Sequence, residues 1–373
     1  MEKLDIKAEH ASRPKHFERP TTEKPPALFS LIILTSIIGV LAGGAGFWLV
    51  QSLAGNQLIS TSFNNFDNKL SINVEQPMTN LAEKYSSSVA GVYKKTAKVA
   101  GLENPIFSST DYLGAATVIT SDGWLMTTDQ VLKNDEALVA LGDNIYTIEE
   151  VKTDAFTGLT FIKVNASFLS PIDFQLASDM KIGEKLFTNI DLPNVASHDF
   201  YTAYLSNNHY VLDKILSTDK VDYYLKTDTN LPADLNLLAV PYFNAQGDVL
   251  GLAYKQDKDL VLIPAEYLKQ AVKHLLDQTK RVTFGLKYVD LENNSGFLAK
   301  GNFVYSQPLA AVEPNSVAFK AGFKAGDQIV AVNNDVISSH QSLTAILQNY
   351  RVGDKVMIRV LRNQVEQDIE VQL

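Results

Sequence analysis

Cysteine is missing from all 373 residues. Its absence excludes a disulfide framework, a thiolate metal site and a cysteine nucleophile. It leaves the compartment open, because a chain that buries a large core needs no covalent staples even outside the cell. Positive charge is in short supply too: 33 Lys and Arg stand against 42 Asp and Glu, a formal net charge of −9. No basic stripe offsets that balance, so nucleic acid is not an expected partner. Histidine is scarce, with 6 in the chain. His10 and His16 fall in a polar tail, His274 in a helical run and His340 in a later loop, without the paired spacing of an H-E-x-x-H site. No metal and no other cofactor is expected.

What is present begins with one long apolar run. Ala27 to Val50 carries no charged residue, and as a helix it would extend about 36 Å, enough to cross a hydrocarbon core of about 30 Å. Trp48 sits near its end, where an interfacial aromatic is favoured. Lys3, Lys7, Arg13, Lys15, Arg19 and Lys24 precede the run, whereas Lys69 is the only Lys or Arg in residues 51–75. The positive-inside rule therefore places residues 1–26 in the cytoplasm and everything after residue 50 outside. A cleaved signal peptide is the alternative, but the run exceeds a signal core of about 7–15 residues. Gly39 and Gly43 form a GxxxG, read either as a self-association face or as a generic glycine-rich span. Residues 1–26, with Pro14, Pro20, Pro25 and Pro26 among mixed charges, read as a disordered tail, and residues 51–77 as a polar linker.

From residue 78 the pattern changes. Met78 to Ser88 reads as a short helix. Short runs of Val, Ile, Leu, Tyr and Thr follow, separated by turn signals such as Ser121-Asp122-Gly123, Gly142-Asp143-Asn144 and Ala245-Gln246-Gly247. Many short strands at this spacing predict an all-β barrel or sandwich. Ala265 to Gln278 reads as a helix with Leu268, Val272 and Leu275 on one face, a natural domain boundary.

Gly114 to Val131, GAATVITSDGWLMTTDQV, resembles the segment that carries the catalytic histidine in HtrA/Deg serine proteases, roughly G-S-G-x-I-I-S-x-D-G-x-x-x-T-N-x-H-V. Gly114, Ile119, Asp122, Gly123, Thr127 and Val131 keep register, and Gln130 stands in the histidine position. An amide cannot cycle a proton near neutrality. DAFTGLTFIKV, residues 154–164, is similar to D-x-x-T-D-L-A-x-L-K-I, with Gly158 in the position of the orienting carboxylate. Asn244, Gly247, Val249 and Gly251 match the end of G-N-S-G-G-P-L-x-N-x-x-G-x-V-I-G, which puts Leu238 in the serine position. No Ser, Thr or Cys lies between Asn230 and Gly251. A serine protease needs a nucleophile, a base and a carboxylate that orients the base. The expectation is that no catalytic residue remains: Gln130, Gly158 and Leu238 mark degenerate triad positions, and the chain is not an enzyme. His198 and His209, beside Ser206 and Asp199, read as parts of an exposed polar loop rather than a relocated relay.

The last ninety or so residues resemble the PDZ domain that follows HtrA proteases. VEPNSVAFKAGFKAGDQIVAVN, residues 312–333, is close to the family's V-x-P-x-S-P-A-x-x-A-G-L-x-x-G-D-x-I-x-x-V-N-G, with Val317 in place of Pro and Asn334 in place of Gly. Ser316 to Ala321 reads as a short helix capped by Gly322, Gln341 to Tyr350 as a second helix, and Lys355 to Val360 and Asp368 to Leu373 as strands. PDZ domains bind extended peptide ends by strand addition, with the terminal carboxylate held by backbone N–H groups of an x-Φ-G-Φ loop. Thr283-Phe284-Gly285-Leu286 fits that loop. The resemblance implies Phe284, Gly285, Leu286, Tyr288, Leu343 and Leu347 as peptide-binding residues, while a plain core role for Leu343 and Leu347 stays open.

The expected fold is mainly β: a single N-terminal transmembrane helix, a chymotrypsin-like double β-barrel and a C-terminal PDZ domain. The expected boundaries are 1–26 tail, 27–50 span, 51–77 linker, 78–280 trypsin-like domain and 281–373 PDZ domain. The leading expectation is a membrane-anchored HtrA-like pseudoprotease. It binds peptide or protein C-termini and unfolded segments through the PDZ domain, as scaffold or regulator in envelope protein quality control. The resemblance also implies a homo-oligomer, a trimer in the family, or mixed assembly with an active relative. The alternatives are an active serine endopeptidase with a non-standard constellation, and a structural barrel presenting the PDZ domain.

Overall fold

The structure is a computed structural model that describes residues 75–96, 105–133, 136–176, 180–190, 199–229, 236–292, 301–304, 311–338 and 341–373. The expected tail, the apolar run 27–50 with its GxxxG, and the linker up to residue 74 lie outside the described residues, as do His198 and His340. Among the described residues no helix is long and apolar enough to cross a membrane.

Helix α1, Glu75–Ser88, starts three residues before its expected first turn. Leu81 and Tyr85, four residues apart and so on one helix face, are buried. The Tyr85 hydroxyl donates to the Phe187 carbonyl at 3.1 Å, and its ring meets Phe200 edge-on at 5.5 Å. Strands β1 (Val89–Lys94), β2 (Tyr112–Val118), β3 (Trp124–Thr128), β4 (Ala137–Leu141), β5 (Asn144–Asp154) and β6 (Leu159–Val164) close into an antiparallel barrel in the order β1-β2-β3-β6-β5-β4. A second barrel has the order β10-β13-β12-β11-β7-β8. It is built from β7 (Lys185–Ile190), β8 (Asp199–Tyr210), β10 (Tyr224–Thr229), β11 (Pro241–Phe243), β12 (Val249–Gln256) and β13 (Asp259–Pro264). Closure removes the sheet edges that such short strands would otherwise expose. The interiors of the two barrels merge into one continuous apolar core.

Strand β8 corrects an expectation. The stretch around His209 reads as an exposed loop because Ser206, Asn207, Asn208 and His209 are polar, yet it is a long strand paired with both β7 and β10. The signal lies just upstream, where Ala203 and Leu205 alternate into the core at 1% and 0% exposure. His209 stacks on Tyr223 at 4.4 Å, while the Ser206 hydroxyl donates to the Lys226 carbonyl at 2.9 Å, so the two side chains have different partners.

Helix α2, Ala265–Asp277, follows β13 directly after Pro264. Tyr267, Leu268 and Ala271 are buried, and Leu276 is exposed, as its place at the edge of the apolar face predicts. The C-terminal unit comprises β14 (Lys287–Asp290), β15 (Asn302–Val304), β16 (Gln328–Val332), β17 (Asp335–Val336), β18 (Lys355–Arg362) and β19 (Val365–Gln372), with helices α3 (Val317–Ala321) and α4 (Leu343–Leu347). Ser316 caps α3 through a hydrogen bond from Phe319 N, and Gly322 ends it in the left-handed region. Helix α4 is shorter than the expected 341–350, because Ser342 takes the N-cap and the chain leaves the helix at Gln348. The chain's end is the closing strand: β19 pairs with β18 over its length, and Leu373 N donates to Asp354 O.

One strand crosses between the units. Leu216–Ser217, β9, lies in the connection from β8 to β10 of the second barrel, yet it pairs with β14 at the end of the C-terminal sheet. Leu216 accordingly packs in the apolar core of the C-terminal unit and not in that of the barrels.

Candidate functional site

The three expected triad positions converge where the barrels meet. Gln130 follows β3 and reaches into the second barrel: its Nε2 donates to Lys255 O at 2.6 Å and its Oε1 accepts from Lys255 N at 3.0 Å. Each end of the amide is thus engaged by the β12 backbone. Gly158 lies beside it, with Asp129 N donating to Gly158 O at 2.8 Å. A Cβ at Gly158 would sit 3.1 Å from the Tyr254 hydroxyl and 3.4 Å from Asp129 Oδ1. The Tyr254 hydroxyl and the Asp129 carboxylate thus both face Gly158. Burial raises the pKa of Asp129, opposed by the nearby Lys133. Burial, followed by the Asp129 charge, raises that of Tyr254.

Leu238 closes the group from the second barrel. Its carbonyl accepts from Ala115 N at 2.9 Å, so the loop is stitched to β2. Asn236 holds the loop from below, its Nδ2 donating to Leu113 O at 2.9 Å and its Oδ1 accepting from Leu238 N at 3.3 Å. An oxyanion site requires backbone N–H groups aimed outward at developing charge. Here Ala239 N donates to Ala253 O at 2.8 Å and Val240 N to Leu237 O at 3.3 Å. Ala239 takes a left-handed conformation, φ 58°, where a glycine would be unstrained. The open cleft beside Gln130, about 470 Å³, is lined by Asp129, Gln130, Lys133, Thr153, Thr160 and Tyr254.

The expected peptide-binding residues lie in the loop before β14, on β14 and on α4. Phe284, Gly285, Leu286, Tyr288, Leu343 and Leu347 are all buried and belong to or adjoin one core. Gly285 has φ 80°, and a Cβ there would come within 2.3 Å of Ser316 Cβ; only glycine lets the loop turn against α3. The N–H groups of Phe284 and Gly285 converge on one carboxylate, donating to Asp219 Oδ1 at 2.7 Å and Oδ2 at 3.0 Å. Next along, Leu286 N donates to Thr218 Oγ1 at 3.0 Å and Thr218 N donates to Leu286 O at 3.0 Å. The Tyr288 hydroxyl donates to Asp222 Oδ2 at 2.7 Å and lies 2.7 Å from Thr344 Oγ1, and the Tyr267 hydroxyl of α2 donates to the other oxygen of Asp222. Burial and then the Asp222 charge hold both phenols far above the usual tyrosine range.

Sequence reasoning found the loop 283–286 and missed Asp219 and Asp222, which lie in the β8–β10 connection outside any motif. Among the described residues, no group of His, Cys, Asp and Glu is arranged to hold a metal ion.

A PDZ domain family model matches residues 283–373. Similarity to curated proteins extends through the barrels. The chain is 24% identical over 277 residues to a probable periplasmic serine endoprotease, DegP-like, of Halomonas elongata, covering 69% of this chain and 56% of that protein. It is 22% identical over 342 residues to the serine endoprotease DegS of Haemophilus influenzae, covering 88% of this chain and 93% of that protein. The chain therefore spans about half the length of the DegP-like relative and most of the DegS relative. Among solved structures, the HtrA-type protease AlgW with decapeptide is similar at a TM-score of 0.54 and 17% identity, over 79% of this chain and 97% of that one. That likeness establishes the fold. The expectation that the chain is not an enzyme is corrected by these relatives: proteins similar to it over two thirds or more of its length are named serine endoproteases. The substitutions at Gln130, Gly158 and Leu238 do not by themselves carry the inference to a non-enzyme.

Proposed function

We propose that this chain, a trypsin-like double barrel followed by a PDZ domain, is an HtrA-family protein and that it engages extended protein segments outside the cytoplasm. Recognition falls to the groove beside Phe284, Gly285 and Leu286, with Tyr288, Leu343 and Leu347 as its apolar wall. The observation that carries this reading is the pair of N–H groups at Phe284 and Gly285 converging on a carboxylate. A peptide's C-terminal carboxylate has the same chemistry, and a peptide strand taking the place of β9 on β14 would supply the remaining main-chain bonds. Residues 27–50 serve as a membrane anchor with residues 1–26 in the cytoplasm, residues 78–280 form the barrel domain and residues 281–373 the PDZ domain. Self-assembly, or assembly with a relative, is part of the proposal. A role in envelope protein quality control fits the relative that is named periplasmic.

Endopeptidase activity is the second reading, favoured by the names of the relatives. With Gln130, Gly158 and Leu238 at the triad positions, hydrolysis has to use a non-standard constellation. The Asp129–Tyr254 pair beside Lys133 is the titratable group nearest to hand.

The test uses the purified full chain against an array of peptides in free-acid and amidated forms. Selective retention of the free acids supports carboxylate recognition, and equal retention of both forms refutes it. Unfolded casein in the same preparation tests hydrolysis: fragments lost on Asp129→Asn and Tyr254→Phe support the second reading, and intact casein excludes it.

A further inference from the structure

We propose that the PDZ groove of this chain is a self-docking site: Leu216–Asp219 of the second barrel occupies it as a built-in ligand, with the Asp219 side chain in place of a C-terminal carboxylate. The geometry is that of an added strand. Ser217 lies opposite Lys287 and Leu216 opposite Tyr288 in antiparallel register. The chain runs along β14 toward the loop that binds carboxylates and reaches it at Asp219, whose two oxygens take the Phe284 and Gly285 N–H groups. Period-2 alternation directs Leu216 and Thr218 to one face, and both are buried, at 7% and 0% exposure. Ser217 between them is half-exposed. Leu216 takes the place of an incoming peptide's apolar side chain in the core formed with Tyr288, Leu343 and Leu347.

A second contact fixes the segment beyond the groove. Asp222 is 4% exposed and accepts hydrogen bonds from Tyr288 of β14 and Tyr267 of α2. The β8–β10 connection is thereby tied at Asp219 to the loop, at Leu216 to the groove and at Asp222 to both the PDZ strand and the boundary helix. A free peptide end and Asp219 compete for the same two N–H groups, so binding of one requires release of the other. This inference rests on the groove being the peptide site, and it adds which segment of the chain holds that site beforehand.

The absence of cysteine makes the test clean. Ser217 and Lys287 are a directly opposed, non-hydrogen-bonded pair, where Cα atoms lie about 4.5 Å apart, within disulfide range. In the full chain carrying Ser217→Cys and Lys287→Cys, mild oxidation without added peptide is expected to give a near-quantitative intramolecular disulfide. Failure to form it in a protein with wild-type circular dichroism overturns the proposal. In Asp219→Ala, hydrogen exchange at the Phe284 and Gly285 amides is expected to speed up by about tenfold or more, the equivalent of losing a charge-assisted bond; unchanged exchange overturns the role given to Asp219. A random peptide pool with free C-termini is then offered to wild type, Asp219→Ala and the oxidised variant. Retention highest in Asp219→Ala and abolished in the disulfide form supports the proposal, whereas equal retention in all three overturns it. If the disulfide forms and exchange accelerates while no variant retains any peptide, self-docking stands and the peptide-binding reading falls.

Discussion

Removing the Asp154 carboxylate should cost this protein about 2–4 kcal/mol of stability, and the structure supplies the terms. Asp154 ends β5 in the first barrel, and Arg281 lies just past α2 on the way into the PDZ domain. Arg281 Nη2 meets Asp154 Oδ2 at 2.6 Å and Nε meets Oδ1 at 3.3 Å, with side-chain exposures of 11% and 12%. In Asp154→Ala the guanidinium stays near its buried position. It keeps one neutral acceptor, Gln348 Oε1 at 3.3 Å, and the face of Phe156 at 4.8 Å. Stranding a buried charge costs about 3–5 kcal/mol, and the residual exposure and the ring contact, worth about 0.5–1 kcal/mol, reduce it. Asp154 also accepts from the Thr157 hydroxyl at 2.8 Å, so a further turn contact is lost on the barrel side. Denaturant unfolding of Asp154→Leu, Arg281→Met and the variant carrying both forms a double-mutant cycle. The double variant should recover most of the loss, because two matched apolar side chains leave no charge unpaired. A loss below about 0.5 kcal/mol in Asp154→Ala would be the value of an exposed pair and would refute the buried-pair reasoning.

Two further outcomes follow from the same geometry. Gly285→Ala should destabilise the PDZ domain by about 2 kcal/mol or more and weaken protection of the Phe284 amide, since the added Cβ meets Ser316 Cβ at 2.3 Å and φ is 80°; a variant as stable as wild type would mean that the loop yields without cost. Alkaline titration followed by tyrosinate absorbance should leave Tyr85, Tyr223, Tyr267 and Tyr288 un-ionised until the chain unfolds, above the ordinary tyrosine pKa of about 10, because burial raises each of them. The folded state then holds more protons than the unfolded chain above that pH, so stability present below pH 10 declines as pH rises further; early, reversible ionisation of all the tyrosines without unfolding would contradict the burial.

Particular residues show how far the sequence was legible. Turn signals such as Ser121-Asp122-Gly123 bracketed the strands of the first barrel, and the pattern Pro314 to Asn333 marked the PDZ domain, because turns and caps are decided by a few adjacent residues. Strand β8 is hard to read locally because its polar C-terminal half masks the alternation of Ala203 and Leu205. Helix α4 was drawn too long because apolar spacing continues past Leu347, whereas the cap at Ser342 and the turn at Gln348 set its ends.

The amino-acid sequence by itself determined that barrel strands precede a PDZ domain, since turn signals such as Ser121-Asp122-Gly123 and the pattern Pro314 to Asn333 are set by residues adjacent in the chain. Only the tertiary structure decided which side chains meet at Gly158 and at the loop of Phe284 and Gly285. Tyr254 and Asp129 face Gly158, and Asp219 fills the loop at Phe284 and Gly285. Asp219 and Phe284 are 65 residues apart. No local pattern joins them, and only barrel closure together with the docking of the PDZ domain brings that carboxylate to those two N–H groups.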